Sequence, residues 1–338
     1  MNKRMNRRDF LKVLLAGTGG LLLQQFLSAC GVRTRPTPTP ASQSATAATM
    51  TASGAAAVET LPAATPLQQP DLVVVRGSDI EAMLRRALEA FGGIQTFVPS
   101  GARVVIKPNI CAAVPPEYAV TTNPWLVGAL VRLCLEAGAS QVVVMDLPIR
   151  GSGETAYTTS GIREQVEAAG GRMEVMNALG FQAVAIPQGR RLKAASVYQP
   201  AREAEVLINV PIAKDHSTTR LTLGMKNLMG LVPDRDRGVM HRMDIHQTIA
   251  DLASLIRPKL TIIDAIRILT AGGPVNNDLN AVERRDTIIV SPDMVAADSY
   301  ATSLFGLTPD DIGYISLAAN MGLGRKDWQA LHVQEIAL

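Results

Sequence analysis

The sequence predicts an α/β fold, a mainly parallel sheet with helices on both faces, and three observations predict it. Near-continuous apolar runs such as VLINVPI at 206–212, RVVIK at 103–107 and QVVV at 141–144 are what strands buried on both faces require. These runs alternate with segments whose apolar residues recur at i, i+3 and i+4, the helical period. Several runs also end on polar residues: Lys107 and Asn109, Asp146, Lys214 and Asp264. In open α/β sheets ligands bind just outside the carboxyl ends of the strands, so these residues are candidates for one common site.

The elements follow in order. Leu72–Arg76 reads as the first strand. The helix after it spans Ile80–Phe91, with Met83, Leu84, Ala87 and Leu88 on one face, and Gly92-Gly93 ends it. Arg103–Lys107 is a strand stopped by Pro108. A helix then begins at Pro124, with Asn123 as its cap and proline in the first-turn position, where a missing N–H costs nothing. Leu126, Leu130, Leu133 and Ala137 form its buried stripe before Gly138. Gln141–Asp146, Arg172–Met176, Gln182–Ile186, Val206–Val210, Leu260–Asp264 and Thr287–Val290 read as further strands. The remaining helices are placed at Gly161–Ala169, Asp244–Leu255, Met294–Leu304 and Asp310–Met321. Asp234-Arg235-Asp236-Arg237, between Pro233 and Gly238, reads as a solvated loop able to close over a ligand. Residues 71–338 are long enough for one large domain or two closely packed lobes, with residues 206–269 as the candidate second lobe.

The amino-terminal residues belong to a different argument. Asn6-Arg7-Arg8-Asp9-Phe10-Leu11-Lys12 looks like a twin-arginine export signal, followed by the apolar stretch Val13 to Leu23. Leu27-Ser28-Ala29-Cys30 resembles a lipobox, which makes Cys30 the lipidated first residue of the mature chain and residues 1–29 the signal peptide. Residues 30–70 are rich in Thr, Pro, Ala and Ser with few large apolar side chains, the composition of a disordered tether. The expected product is an exported lipoprotein, anchored to a membrane through Cys30 and facing the periplasm or the cell exterior. The net charge is +3, but five of the cationic residues lie in the signal peptide against Asp9 alone. The mature chain is thus near neutral, without the basic stripe that nucleic-acid binding requires.

With Cys30 assigned to lipid, only Cys111 and Cys134 remain, which excludes a disulfide framework and leaves no cluster for an iron–sulfur centre. Cys134 sits on the apolar stripe of its helix and reads as a small buried hydrophobe. Cys111 follows Lys107-Pro108-Asn109, where a neighbouring cation could activate it, but nothing in the sequence places a base beside it.

The order of the segments VVIKPN, TTNP, VVVMD, LINVPIAKDH, LTLGMKNLMGL, DLASLIRPKLTIIDAI, GGP and DMVAADSYA carries a family resemblance. Between Arg103 and Gly324 the chain resembles the bacterial and archaeal family filed as domain of unknown function 362. That resemblance implies an α/β fold and a shared polar site built from Lys107, Asn109, Lys214, His216, Lys226, Asn227, Asp264 and Asp298. Members with ferredoxin-like Cys clusters differ from this chain, so no electron-transfer role carries over.

Lys107, Lys214 and Lys226 converging on one cleft would form a pocket for a carboxylate or phosphate, with Asn109 and Asn227 as amide donors. The competing reading pairs Lys107 with Asp146 and leaves Lys226 and Asn227 dressing a helix face. His216, with an unperturbed pKa near neutrality, is the expected general acid or base, and Asp264 and Asp298 would orient it. A second possibility is a divalent metal held by His216, Asp264 and Asp298, with His241 as a further ligand. Gly151-Ser152-Gly153 and Gly272-Gly273-Pro274 follow strands but lack phosphate-loop spacing, and read as turns. Two functions survive: an exported enzyme acting on a small anion, or a tethered anion- or cofactor-binding protein without turnover.

Overall fold

The strands of the molecule are β1 (Leu72–Arg76), β2 (Arg103–Pro108), β3 (Gln141–Val144), β4 (Arg172–Met173), β5 (Phe181–Ala185), β6 (Ala194–Tyr198), β7 (Val206–Val210), β8 (Ile212–His216), β9 (Arg220–Thr222), β10 (Leu260–Leu269), β11 (Val282–Ser291) and β12 (Val333–Ala337). They come from a computed structural model that describes residues 69–338. The expected signal peptide, the lipidation site Cys30 and nearly all of the tether lie outside the described residues. The central sheet runs in the order β12-β1-β11-β10-β7-β2-β3-β4, with β8 beside β10 and β9 folded back on β8. Along that path every neighbouring pair is parallel except the two that β11 makes. This is the mainly parallel α/β sheet that the buried apolar runs predict.

Alternation along the strands sends side chains to two separate cores. Val73, Val75, Val104, Ile106 and Ile288 face one side, where the helices Ile80–Glu89 and Pro124–Glu136 bury Met83, Leu84, Leu126 and Leu130. Leu72, Val74, Val105 and Ile289 face the other, against Ile249 and Leu252 of the helix Ile245–Leu255 and Tyr314 and Ile315 of Gly313–Asn320. The Asn123 cap is as the sequence predicts, and Asp244, read from the sequence as the first residue of its helix, is that helix's cap. Asn123 Oδ1 accepts from Trp125 N, and Asp244 accepts from Gln247 N. Cys134 is fully buried in the first core, and burial pushes its thiol up to about 12.

Four expectations are corrected. Residues 206–269 are not a separate lobe, because β7, β8 and β10 are hydrogen-bonded into the central sheet and the described residues 69–338 form one compact unit. The run at 182–186 belongs to the β5–β6 hairpin, a separate two-stranded sheet whose β5 side chains are mostly exposed. Asp234–Arg242 is a helix rather than a solvated loop: Asp234 and Asp236 occupy its first turn and His241 and Arg242 its last, the charge order its dipole favours. Lys214 and His216 lie not in a loop but on β8, a strand the sequence reading did not separate from VLINVPI.

Pro211 is the reason β7 and β8 are two strands. It has no N–H to give the ladder, yet its carbonyl accepts from Asp264 N at 2.8 Å. β10 therefore pairs first with β7, through Leu260 and Thr261, and then with β8, through Asp264 and Leu269. The chain continues past the end of β7, and β9 returns antiparallel to it, with Lys214 opposite Thr222 and His216 opposite Arg220.

Candidate active site

A cavity of 360 Å³ lies beyond the carboxyl ends of β2, β3 and β7, within the size range of small-molecule sites. Lys107, Asn109, Lys214, His216, Lys226 and Asn227 all line it, so six of the eight predicted site residues are brought together. Asp264 and Asp298 do not line it.

The base of the cavity is a buried hydrogen-bonded chain. Lys107, fully buried, places its ammonium 2.6 Å from Asp146 Oδ1, 2.8 Å from the Pro108 carbonyl and 2.9 Å from Asn227 Oδ1. An ammonium has three protons, and these three acceptors use them all. Burial works to lower the Lys107 pKa, and the Asp146 carboxylate opposes it. The pairing of Lys107 with Asp146, weighed from the sequence as the alternative to ligand binding, is thus present. Asn227 Oδ1 also accepts from Asn109 Nδ2 at 2.9 Å, and Asn109 Oδ1 accepts from Lys214 Nζ at 2.9 Å. Asn227 Nδ2 donates to Asn209 Oδ1 at 2.9 Å. Of the two amides expected to face a ligand, Asn109 donates to Asn227, and Asn227 donates to Asn209 and the Lys107 carbonyl.

Lys214 is held without a carboxylate partner among the described residues. Its ammonium reaches Val120 O at 2.6 Å, Asn109 Oδ1 at 2.9 Å, Pro274 O at 3.1 Å and Cys111 Sγ at 3.2 Å. Cys111 is buried on the same wall, beside that cation. Lys226 has less: its nearest polar partner is the Met229 thioether at 3.6 Å, and it makes no ion pair among the described residues. Burial, then Lys214 and Arg237, lower its pKa to about 7.

His216 differs from expectation in its charge. Burial first, then Lys226, His241 and Lys214, push its pKa down to about 3, so the ring is neutral at physiological pH. Its Nδ1 accepts from the backbone N–H groups of Thr218 at 3.1 Å and Thr219 at 3.4 Å, which puts the single ring proton on Nε2. The His241 ring stacks on it with centroids 6.3 Å apart. His216 is a neutral donor, not a base poised near pH 7.

The two aspartates work from behind the site. Asp298, fully buried, accepts from Gly224 N at 2.6 Å and Met225 N at 2.9 Å, anchoring the short helix Gly224–Asn227 that presents Lys226 and Asn227. Asp264 accepts from Asn123 N at 2.7 Å and Ile266 N at 3.1 Å, tying the start of a helix to β10. Burial raises their pKa values to about 7 and about 6. Neither is beside His216 in the cavity wall, so the set His216, Asp264 and Asp298 is not assembled as a metal centre. Among the described residues no group of three or more His, Cys, Asp and Glu is placed to hold a metal ion.

Sequence reasoning missed Asn209, hidden inside an apolar run, and Arg237. Arg237 is buried, and donates to the carbonyls of Leu147 at 2.9 Å and Pro148 at 3.2 Å while pairing with Asp234. A polar residue recurring inside a fully apolar strand was the available signal for Asn209. His216 also borders a larger open groove of 1070 Å³ lined by Arg76, Arg220, Arg284 and Arg285. Each of those arginines pairs with a carboxylate, Glu335, Asp311, Asp286 and Glu283 respectively, so the smaller cavity holds the unanswered charge.

Two glycines of the GMKNLMG segment are required by close approach. A Cβ on Gly230 would lie 1.9 Å from Asp146 Oδ1 and 2.5 Å from Lys107 Nζ, and one on Gly224 would lie 2.6 Å from Asp298 Oδ1. Gly230→Ala is expected to split the buried ion pair and cost about 3 kcal/mol or more in urea unfolding, the scale of a broken buried pair. A second expectation concerns pH. Lys226 titrates at about 7 when folded and about 10.4 when unfolded, so between those values the unfolded chain holds more protons and stability rises with pH. Lys226→Met should flatten that rise, leaving what Lys107 contributes, and below pH 7 it should be more stable than the parent by about 1–4 kcal/mol. Unchanged slopes in denaturation at pH 6 to 10 would show that Lys226 is not the strained cation.

Comparison with known proteins agrees with the motifs. A thylakoid-associated protein of Synechocystis sp. is 29% identical over 254 residues, covering 72% of this chain and 75% of that one. The lactate racemase apoprotein from Thermoanaerobacterium thermosaccharolyticum aligns at a TM-score of 0.44 and 14% identity, over 71% of this chain and 58% of its own. A Thermotoga maritima protein of known structure aligns at 0.37 and 12% identity, over 67% of this chain and 59% of its own. The chain thus spans under two thirds of either solved structure, and neither likeness carries an argument about chemistry. Residues 104–303 match the family described as Domain of unknown function (DUF362), and the chain belongs to that family.

Proposed function

We propose that the protein binds a small carboxylate- or phosphate-bearing molecule in the 360 Å³ cavity and acts on it as an enzyme, by proton transfer. The observation that carries this is a charge imbalance. Of the four cationic side chains lining the cavity, Lys107 and Arg237 face Asp146 and Asp234, whereas Lys214 and Lys226 have no carboxylate partner among the described residues. A buried cation without a counter-charge is costly, and a bound anion supplies the missing charge. Lys226, at about 7, is the group able to give and take a proton near neutrality, while neutral His216 offers Nε2–H to the bound oxygen. The alternative is a tethered binding protein that uses the same pocket without turnover. Perturbed titrations gathered in one cavity favour the enzyme.

We also propose export through Arg7-Arg8 and anchoring through lipidated Cys30. The Synechocystis relative is described as thylakoid-associated, in keeping with a membrane-attached protein. Cys30→Ala is expected to move the mature chain from the membrane to the soluble fraction after cell fractionation.

Binding should follow the Lys226 proton. For small monocarboxylates such as glycolate, ionised throughout, calorimetric affinity is expected to be level below pH 6.5 and to fall about fivefold from pH 7 to 8 and about tenfold from 8 to 9. Lys226→Met should bind weakly at every pH. A flat profile, or full affinity in Lys226→Met, would remove the anion-site reading. His216→Ala separates the two functions: an enzyme loses rate while still binding, and a binder loses little.

A further inference from the structure

Lys226 differs from the other lysines of the cavity in having donors to spare. Lys107 and Lys214 are saturated by three and four acceptors, but Lys226 Nζ has a thioether at 3.6 Å as its nearest partner. Its residue is only 7% exposed, and the cavity wall around it includes Leu147, Ile149 and Met229. The amine is held in place from below, since the turn carrying it is pinned by the two backbone bonds to Asp298. A lysine amine confined in a partly apolar cavity beside other cations is the arrangement that makes lysine a nucleophile towards carbonyl carbon.

We infer that Lys226 forms an imine with small 2-oxo acids, so that the ligand of the proposed site carries a carbonyl next to its carboxylate. This deepens the anion-site reading and rests on it. The carboxylate answers the charge of Lys214, which has no anionic partner, and the adjacent carbonyl meets the amine. The neutral amine attacks the carbonyl carbon, forming a C–N bond as the C=O π electrons move to oxygen. The carbinolamine then loses water as C=N forms. Both amine hydrogens end on the departing oxygen, so the products are imine and water, and no oxidant or reductant is consumed. His216, near enough for the Lys226 charge to depress its pKa, offers Nε2–H to that oxygen. The lowered pKa of Lys226 leaves a substantial neutral fraction at pH 7, which an ordinary lysine lacks.

The test is reductive trapping. The full-length protein is incubated with pyruvate and sodium cyanoborohydride at pH 7, and the adduct is located by peptide mass spectrometry. The expected result is one major adduct on Lys226, at least about tenfold above any other lysine, absent from Lys226→Arg and Lys226→Met. Absence of an adduct from the wild-type protein, or one spread evenly over many lysines, overturns the inference, and neither result depends on a variant folding. Glycolate, which has no carbonyl, separates this failure from that of the site itself. If glycolate binds with the pH profile given above and pyruvate is not trapped, only the imine falls. If neither binds, the anion-site reading falls with it.

Discussion

A lysine out of reach of water must have each proton accepted and its charge balanced, and the Lys107–Asp146 pair is where this molecule meets that demand. Asp146 is itself fixed from outside the pair, accepting from the backbone N–H groups of Ile110 and Leu147. Lys107 in turn orients Asn227, which orients Asn109, which receives Lys214. Contributions from β2, β8 and the helix Gly224–Asn227 are thereby bound into one polar network between two apolar cores. Such networks rigidify a site when every member is satisfied, and Lys107, Asn227, Asn109 and Lys214 each find partners within this one. Lys226 stands outside this network and lines the cavity, with the Met229 thioether as its hydrogen-bond partner.

The same side-chain type thus has three fates within one pocket. Lys107 is neutralised, Lys214 is solvated by carbonyl and amide oxygens without being neutralised, and Lys226 has neither form of compensation. What decides among them is the backbone nearby. Gly230 lets Asp146 close on Lys107, and Gly224 lets Asp298 grip the turn that aims Lys226. The turn carrying Lys226 is thus positioned by Gly224 and Asp298, neither of which lines the cavity.

Much of this was legible in the sequence because burial on both faces leaves a strong mark. The apolar runs located β1, β2, β3, β7 and β10, and the capping residue Asn123 with Pro124 located a helix start. Strand-end polar residues indicated the site, and Lys107, Asn109, Lys214, His216, Lys226 and Asn227 do meet. Three things were not legible. Asp264 and Asp298 have the residue type of a catalytic carboxylate, and only the backbone N–H groups they accept from reveal a structural task. The charge state of His216 depends on cations that are distant in sequence. Arg237 looked solvated because its partners are main-chain carbonyls, which carry no residue identity.

The break at Pro211 divides one line of chain into a segment woven into the sheet and a segment that projects from it. β7 is held on both sides, by β2 and β10, whereas β8 is held by β10 and by its own returning strand β9. β8 and β9 nonetheless bury Ala213 and Leu221 in the core, so an opening of this segment disturbs the packing beneath it as well as the pocket wall. Lys214 and His216 ride on that segment, so the geometry of the pocket wall is tied to the packing of the core that Ala213 and Leu221 enter.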